Sequence, residues 1–556
     1  MQEGIVGGSG MRTTDWWLAA AFAAILAGCG RAPDPIADGD TVPGAPQVVN
    51  LAQGWSREVQ DQAWFASFGS RLLPYRWLLH LEVAGATTRF ADPAHLAALG
   101  FLAQARTTHN PDGLPVGFTR EPGTDGEAWA GLGCAACHTG EVRHGGRRIR
   151  IDGGQGWLDF TAFEGALIDS LSATASDDAK FARFADALGT PQAQRTALRD
   201  ALIARAEALD VRHRMNATDV AYGAGRLDAF GQIFNAVAVD FLGVPENRRA
   251  PDAPVSFPVL WTAPHLDLVQ WNGSAPNAGP GPLFQNLTTA LAVYGHVDVA
   301  GHDGRTGYPS SIDFEQLGRI QSWMYALTAP QWPESMLGKL DPVRIERGAA
   351  LYDAQCGACH ARIDARDPAR VPKAVLTPLA DIGTDPRMVR NFLDARAKTG
   401  PLQGRRQAVL AGERFGAEAN TIDLVVHVAI GTALRHPLDT MRDAAVGYHK
   451  VIKATIDHHP DYYKARPLDG VWASAPYLHN GSVPTLADLL RPASARPARF
   501  RIGSGEFDPD AVGLAATQDG SEFDTRLPGN GNGGHEYGTA LSDADRRDLL
   551  EFLKSL

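Results

Sequence analysis

A mainly α-helical chain of two units, the first enlarged by long loops and extra helices, is the fold class the sequence predicts. Three observations predict it. Two Cys-X-X-Cys-His pentapeptides, Cys134-Ala-Ala-Cys137-His138 and Cys356-Gly-Ala-Cys359-His360, stand 222 residues apart from His to His. Helix-start signals recur, with Asp341 before Pro342 and Ser542-Asp-Ala-Asp545 as a capping box near the C-terminus. The chain has 556 residues and 44 % hydrophobic content, more than one ordinary domain requires and ample for buried cores.

The pentapeptide has a specific chemistry. Two thiols three residues apart at a helix start can each add to a vinyl group of haem, and the adjacent His then ligates the iron from one face. A zinc site or a redox-active Cys pair is the alternative, but neither needs His directly after the second Cys. Two c-type haem motifs therefore predict two cytochrome c-type haem domains and two covalently bound haem c groups, held by Cys134, Cys137, Cys356 and Cys359 with His138 and His360 on the irons.

These motifs use four of the five cysteines. The fifth, Cys29, ends Leu26-Ala-Gly-Cys29 behind the apolar run Trp16 to Ala27 and Arg12, which resembles a bacterial lipoprotein acylation box. The run is too short to span a bilayer, so residues 1–28 read as a signal peptide, with Met11 an alternative start and Cys29 the lipidated first residue of the mature chain. An uncleaved apolar N-terminus is the competing reading. The expected location is the periplasmic side of a bacterial membrane, lipid-anchored, the outer membrane favoured by Gly30. A formal charge of −11 argues against nucleic acid as a partner.

Residues 29–50 are rich in Pro, Gly, Ala and Asp and read as a flexible tether. An N-terminal haem domain is expected over 51–335. Within it Ile149-Arg-Ile151 followed by Asp152-Gly-Gly reads as a strand and turn. A scaffold helix is expected after Thr190 as N-cap and Pro191 at the first position, with Leu198, Leu202 and Leu209 on one face. From about 251 to 333 no long amphipathic period holds, and the segment reads as irregular structure whose aromatic residues are buried. The second unit, 336–556, runs from the Asp341-capped helix into Cys356 and ends in the helix carrying Leu549, Phe552 and Leu553.

Leu468-Asp-Gly-Val-Trp-Ala-Ser-Ala-Pro-Tyr-Leu-His479-Asn-Gly-Ser-Val483 is similar to the signature block of the bacterial di-haem cytochrome c peroxidase superfamily. Leu73-Pro-Tyr75, Asn110-Pro-Asp-Gly-Leu-Pro115, Ile151-Asp-Gly-Gly154, Gln270-Trp-Asn-Gly273 and Gly534-His-Glu-Tyr-Gly538 resemble its rubber-oxygenase-like branch. The resemblance implies an oxidoreductase in which a haem with an open distal face, held by His138, reacts with peroxide or dioxygen and, in the oxygenase version, an apolar substrate. A six-coordinate haem held by His360 then exchanges electrons with a small redox donor or acceptor.

The superfamily's usual sixth-ligand position is Ala493 here, which cannot ligate iron. His535 is the expected ligand by resemblance to the oxygenase-like branch, His479 the runner-up and Met441 a distant option. No matching distal His is evident for the first haem, since His144 lies close to the attachment site and His213 on a charged helix end. Trp271 is a possible electron relay by resemblance, against a packing role. Arg150, Arg226 or Arg466 can pair with propionates. A non-catalytic electron-transfer lipoprotein is the alternative function.

Overall fold

The computed structural model describes residues 36–37, 48–123, 126–277, 279, 281–362, 373–436 and 461–556. Cys29 and Met441, and with them the lipidation reading and the distant ligand option, lie outside the described residues.

The mainly α expectation is corrected. Helices are joined by eight small sheets among the described residues, the largest of four strands in the order Ile36–Ala37, Val48–Asn50, Arg147–Asp152, Thr139–His144. The reason is local. Both flanks of the first pentapeptide are β-forming: Ala128–Leu132 pairs with Phe118–Pro122 before it, and Thr139–His144 pairs with Arg147–Asp152 after it. The turn between the latter two uses Gly145 and Gly146, both at positive φ. Val48–Asn50, the end of the stretch read as tether, lies parallel to Arg148–Arg150.

Asp152 ties this sheet to the N-terminal helix Arg57–Phe65, accepting from Gln60 Nε2 at 2.5 Å and Trp64 Nε1 at 2.7 Å. The Cys134–Ala136 turn is set on that helix. Ala135 packs with Trp64, Phe65, Leu102 and Val116, and a Cβ on Gly117 would stand 2.2 Å from the Ala136 backbone.

Two helical expectations shift. The scaffold helix runs Arg195–Met215, with Leu202 and Leu209 buried, but Pro191 is extended (φ −57°, ψ 148°) and a short 3₁₀ turn intervenes, so Thr190 is not its cap. Between 251 and 333 the aromatic residues Trp261, Tyr308 and Trp332 are buried as expected. The segment nonetheless contains the helices Gly281–Ala292 and Phe314–Ala326. Phe284, Leu287 and Leu291 form the buried stripe of the first of them, a period broken in sequence by flanking Gly and Pro.

Asp341 caps Pro342–Gln355 by accepting from Val343 N and Arg344 N, and this helix delivers Cys356. It crosses the C-terminal helix Asp543–Ser555, capped by Ser542. Gly348 marks the crossing, because a Cβ there would meet the Asp548 carbonyl at 2.1 Å. Tyr352 packs on Phe552 at 5.1 Å. One apolar core joins Phe234, Leu287 and Tyr308 to Phe392 and Val425, and a second joins Ile149 and Trp157 to Tyr352, Trp472 and Leu549. Both cores therefore hold residues from either side of position 335. Among the described residues no helix is long and apolar enough to cross a membrane.

Candidate functional site: two histidine-bearing cavities with a shared wall

Each pentapeptide forms a tight turn, with His138 N donating to Cys134 O at 3.0 Å and His360 N to Cys356 O at 2.9 Å. Each then faces a cavity. Cys134, Cys137 and His138 line one, and Cys356, Cys359 and His360 line the other.

The proximal imidazoles are oriented alike. Nδ1 of His138 donates to the Pro258 carbonyl at 2.9 Å, and Nδ1 of His360 to the Arg466 carbonyl at 2.8 Å. A carbonyl only accepts, so each Nδ1 carries the proton and each Nε2 keeps its lone pair. This is how metal-ligating histidines are usually held. Burial pushes the His138 pKa down to about 4 and lowers that of His360, so both rings stay neutral.

The thiols argue against the other readings of the motif. Burial pushes Cys134 and Cys356 up to about 11 and Cys137 up to about 12, the reverse of the lowered values of redox-active cysteines. Among the described residues no group of three or more His, Cys, Asp or Glu is placed to hold a metal ion.

Across the second cavity stands His535. Its ring centre is 6.1 Å from that of His360, inclined at 54°. With metal–imidazole bonds of about 2 Å, two rings on opposite sides of one ion stand roughly 6 Å apart. Nδ1 of His535 is buried without a hydrogen-bond partner, and burial lowers its pKa to about 4. Two neutral imidazoles facing each other across a cavity at this separation fit a metal between them.

The backbone around His535 is over-determined. Its φ is +51°, its N–H donates to Ile382 O at 2.7 Å, and the buried Arg496 donates to the carbonyls of Asn532, Gly534 and His535.

His479 also lines the second cavity, but one of its nitrogens is engaged. The Tyr463 hydroxyl donates to Asp385 O at 2.7 Å, so its oxygen accepts from His479 Nε2 at 3.0 Å. The two rings stack at 4.3 Å.

Trp271, Lys464 and Arg466 line both cavities. Trp271 sits in the turn of the hairpin Leu268–Val269/Ala275–Pro276, which Gln270 (φ +68°) and Gly273 (φ +67°) close. The Arg466 guanidinium lies 5.5 Å from the Trp271 ring centre and donates to Ser474 Oγ. Burial lowers Lys464 to about 7 and Arg466 to about 10. Neither is in an ion pair among the described residues, and a buried cation without an anion costs several kcal/mol. Haem propionates at this wall would supply the missing charge, so the residues present fit the group.

The other sequence candidates are structural here. Arg150 pairs with Glu141 at 3.3 Å, and Arg226 donates to Asn530 Oδ1 at 2.7 Å and lies over Phe523. His144 contacts the Phe507 carbonyl and His213 contacts Glu164. The His138 cavity has no second His among its lining residues, but Met324 and the amides Gln285 and Gln321 line it. Sequence reasoning did not single out Lys464, Tyr463, Arg496 or Met324. Each lies on an ordinary strand, helix or loop, and only the fold brings it to a cavity.

Residues 462–501 match the family described as RoxA-like, cytochrome c-like, and this segment contains Tyr463, Lys464, Arg466, Tyr477 and His479 of the cavity walls. The match lies in the C-terminal part alone, so the expectation of a cytochrome c-type domain around each motif is corrected with the mainly α reading. It implies a haem c cofactor and a relationship to rubber-oxygenase-like cytochromes. The chain is also similar to two uncharacterized proteins of Sinorhizobium fredii (strain NBRC 101917 / NGR234). Protein y4iJ is 29 % identical over 582 residues, covering 92 % of this chain and 94 % of that protein, and y4iM is 26 % identical over 339 residues, covering 56 % and 67 %.

Proposed function

We propose that the protein is an exported di-haem c-type cytochrome oxidoreductase, anchored by lipid at Cys29 on the periplasmic side of a bacterial membrane. Its N-terminal haem centre, at Cys134, Cys137 and His138, binds dioxygen or peroxide. The centre at Cys356, Cys359 and His360, with His535 opposite, exchanges electrons with a small redox partner.

One observation carries this reading: two cavities share a wall, and among the described residues only one of them holds a second imidazole opposite its motif His. An iron ligated on both sides transfers electrons, whereas an iron with a free side also binds a small molecule. When bound, haem c supplies a redox-active iron. The chain holds His138 and His360 as neutral ligands through Pro258 and Arg466, balances propionate charge with Lys464 and Arg466, and sets Trp271 as a relay between the cavities.

Dioxygen chemistry on an apolar substrate is the version favoured. Peroxide cleavage benefits from an acid–base group. The His138 cavity is lined largely by apolar residues, and Lys464, an acid–base group it offers among the described residues, lies at the wall shared with the second cavity rather than within the first alone. The RoxA-like match points the same way. Spectroscopy tests the reading: the reduced protein should bind CO at one of two haems. Two low-spin haems that both refuse CO would leave a non-catalytic electron carrier.

A further inference from the structure

A third, smaller cavity adjoins the His138 cavity. Gln270 and Gln285 line both. Its remaining wall is largely hydrocarbon, drawn from the four helices Ala229–Asn235, Gly281–Ala292, Arg387–Asp394 and Thr421–Ala433, with Ser274 and Ala275 of the hairpin completing it. Every lining residue is buried or half-buried.

Two polar groups on its border are already engaged. Gln285 Nε2 donates to Pro276 O at 2.9 Å, and Thr288 Oγ1 donates to Gln285 O at 2.9 Å. An ordered water needs two to four polar partners, and cavities lined by Leu, Ile and Phe stay dry and take up xenon or small apolar molecules. With no exposed lining residue, the space suits a small apolar molecule better than a long chain reaching in from solvent.

We propose that the cavity walled by Phe230, Phe234, Phe392, Ile422, Val425 and Ala429 is a docking site for dioxygen, which passes from it beside Gln270 and Gln285 into the His138 cavity. This rests on the reading of an open iron at His138. The pinned Gln285 amide makes its aliphatic stem a fixed part of the partition, while Gln270, at the strained turn beside Trp271, forms the other part. Dioxygen partitions into such a space because it is apolar and small, and docking there raises its concentration next to the iron.

The test uses the reduced holoprotein with CO as the probe and rapid photolysis as the readout. Val425→Phe and Ala429→Leu fill the cavity from one helix, and Thr288→Leu fills it from another. Each should slow CO association and dissociation together by several-fold while leaving CO affinity unchanged, as expected for a narrowed route. Xenon applied to the unaltered protein should slow CO rebinding in the same way, a measurement independent of whether the variants fold. CO binding with rates within twofold of the unaltered protein in the folded variants and under xenon would overturn the docking site and spare the open iron. A reduced protein that binds no CO would overturn both.

Discussion

At the scale of single residues, the centre depends on which ring nitrogen is free. His535 stands across the cavity with its ring centre 6.1 Å from that of His360, whereas His479 has Nε2 engaged with Tyr463. In the holoprotein His535→Ala should convert the haem at Cys356 and Cys359 from low-spin to high-spin or water-ligated and raise its potential, with both haems still attached. His479→Ala should leave the low-spin signal intact and lower stability by about 1–3 kcal/mol, through the lost stack and the lost hydrogen bond to the Tyr463 oxygen. A new high-spin signal from His479→Ala alone would reverse the assignment. Sequence resemblance named both histidines, but not the tyrosine that separates their roles.

At the scale of elements, two devices hold the second motif and the residue facing it. The helix Pro342–Gln355 carries Cys356 to its place and is set by its contact with Asp543–Ser555 at Gly348. Gly348→Val must push the Asp548 backbone aside and should destabilise by at least roughly 2 kcal/mol, the range of an overpacked core. Thermal unfolding measures it, and an unchanged midpoint would mean that the crossing gives way freely. The loop before His535 is pinned by Arg496, which donates to three of its carbonyls. Arg496→Leu should cost about 3 kcal/mol through three lost hydrogen bonds. It should also give a mixture of low-spin and high-spin iron at the second centre, seen by electron paramagnetic resonance. Both helices and their caps were legible in sequence, since Asp-Pro and Ser-X-X-Asp are local signals. The pinning was not, because Arg496 acts on residues nearly forty positions away through backbone atoms that carry no sequence identity.

At the scale of the whole molecule, the two cavities meet at one wall, and both apolar cores draw on the two halves of the chain. On the proposed reading haem attachment is separable all the same, because each motif would make its own thioether links. Denatured protein should retain two covalent haems, and replacing Cys356 and Cys359 with Ala should leave one, counted by mass. Haem that extracts freely into acid solvent would sink the c-type reading. At the other end of the chain, mass spectrometry of the mature N-terminus should find an acylated Cys29, and Cys29→Ala should release the protein from membranes. A single acyl chain holds only marginally, so two or more are expected.

What the sequence determined by itself is the local chemistry: two pentapeptides whose spacing suits thioether attachment, helix caps at Asp341 and Ser542, and burial of several of the aromatic residues between 251 and 333, with Tyr325 the exposed exception. Motif chemistry, capping and hydrophobicity act over a few residues, so they can be read along the chain. It did not disclose the small sheets, since strands of two to six residues pair with distant partners, as Val48–Asn50 does with Arg148–Arg150. Nor did it show that Lys464, on a short strand, and Trp271, in a hairpin turn, line the wall of both cavities. Only the tertiary structure decided those placements, because burial and electrostatic environment come from neighbours brought close by folding rather than from neighbours in sequence.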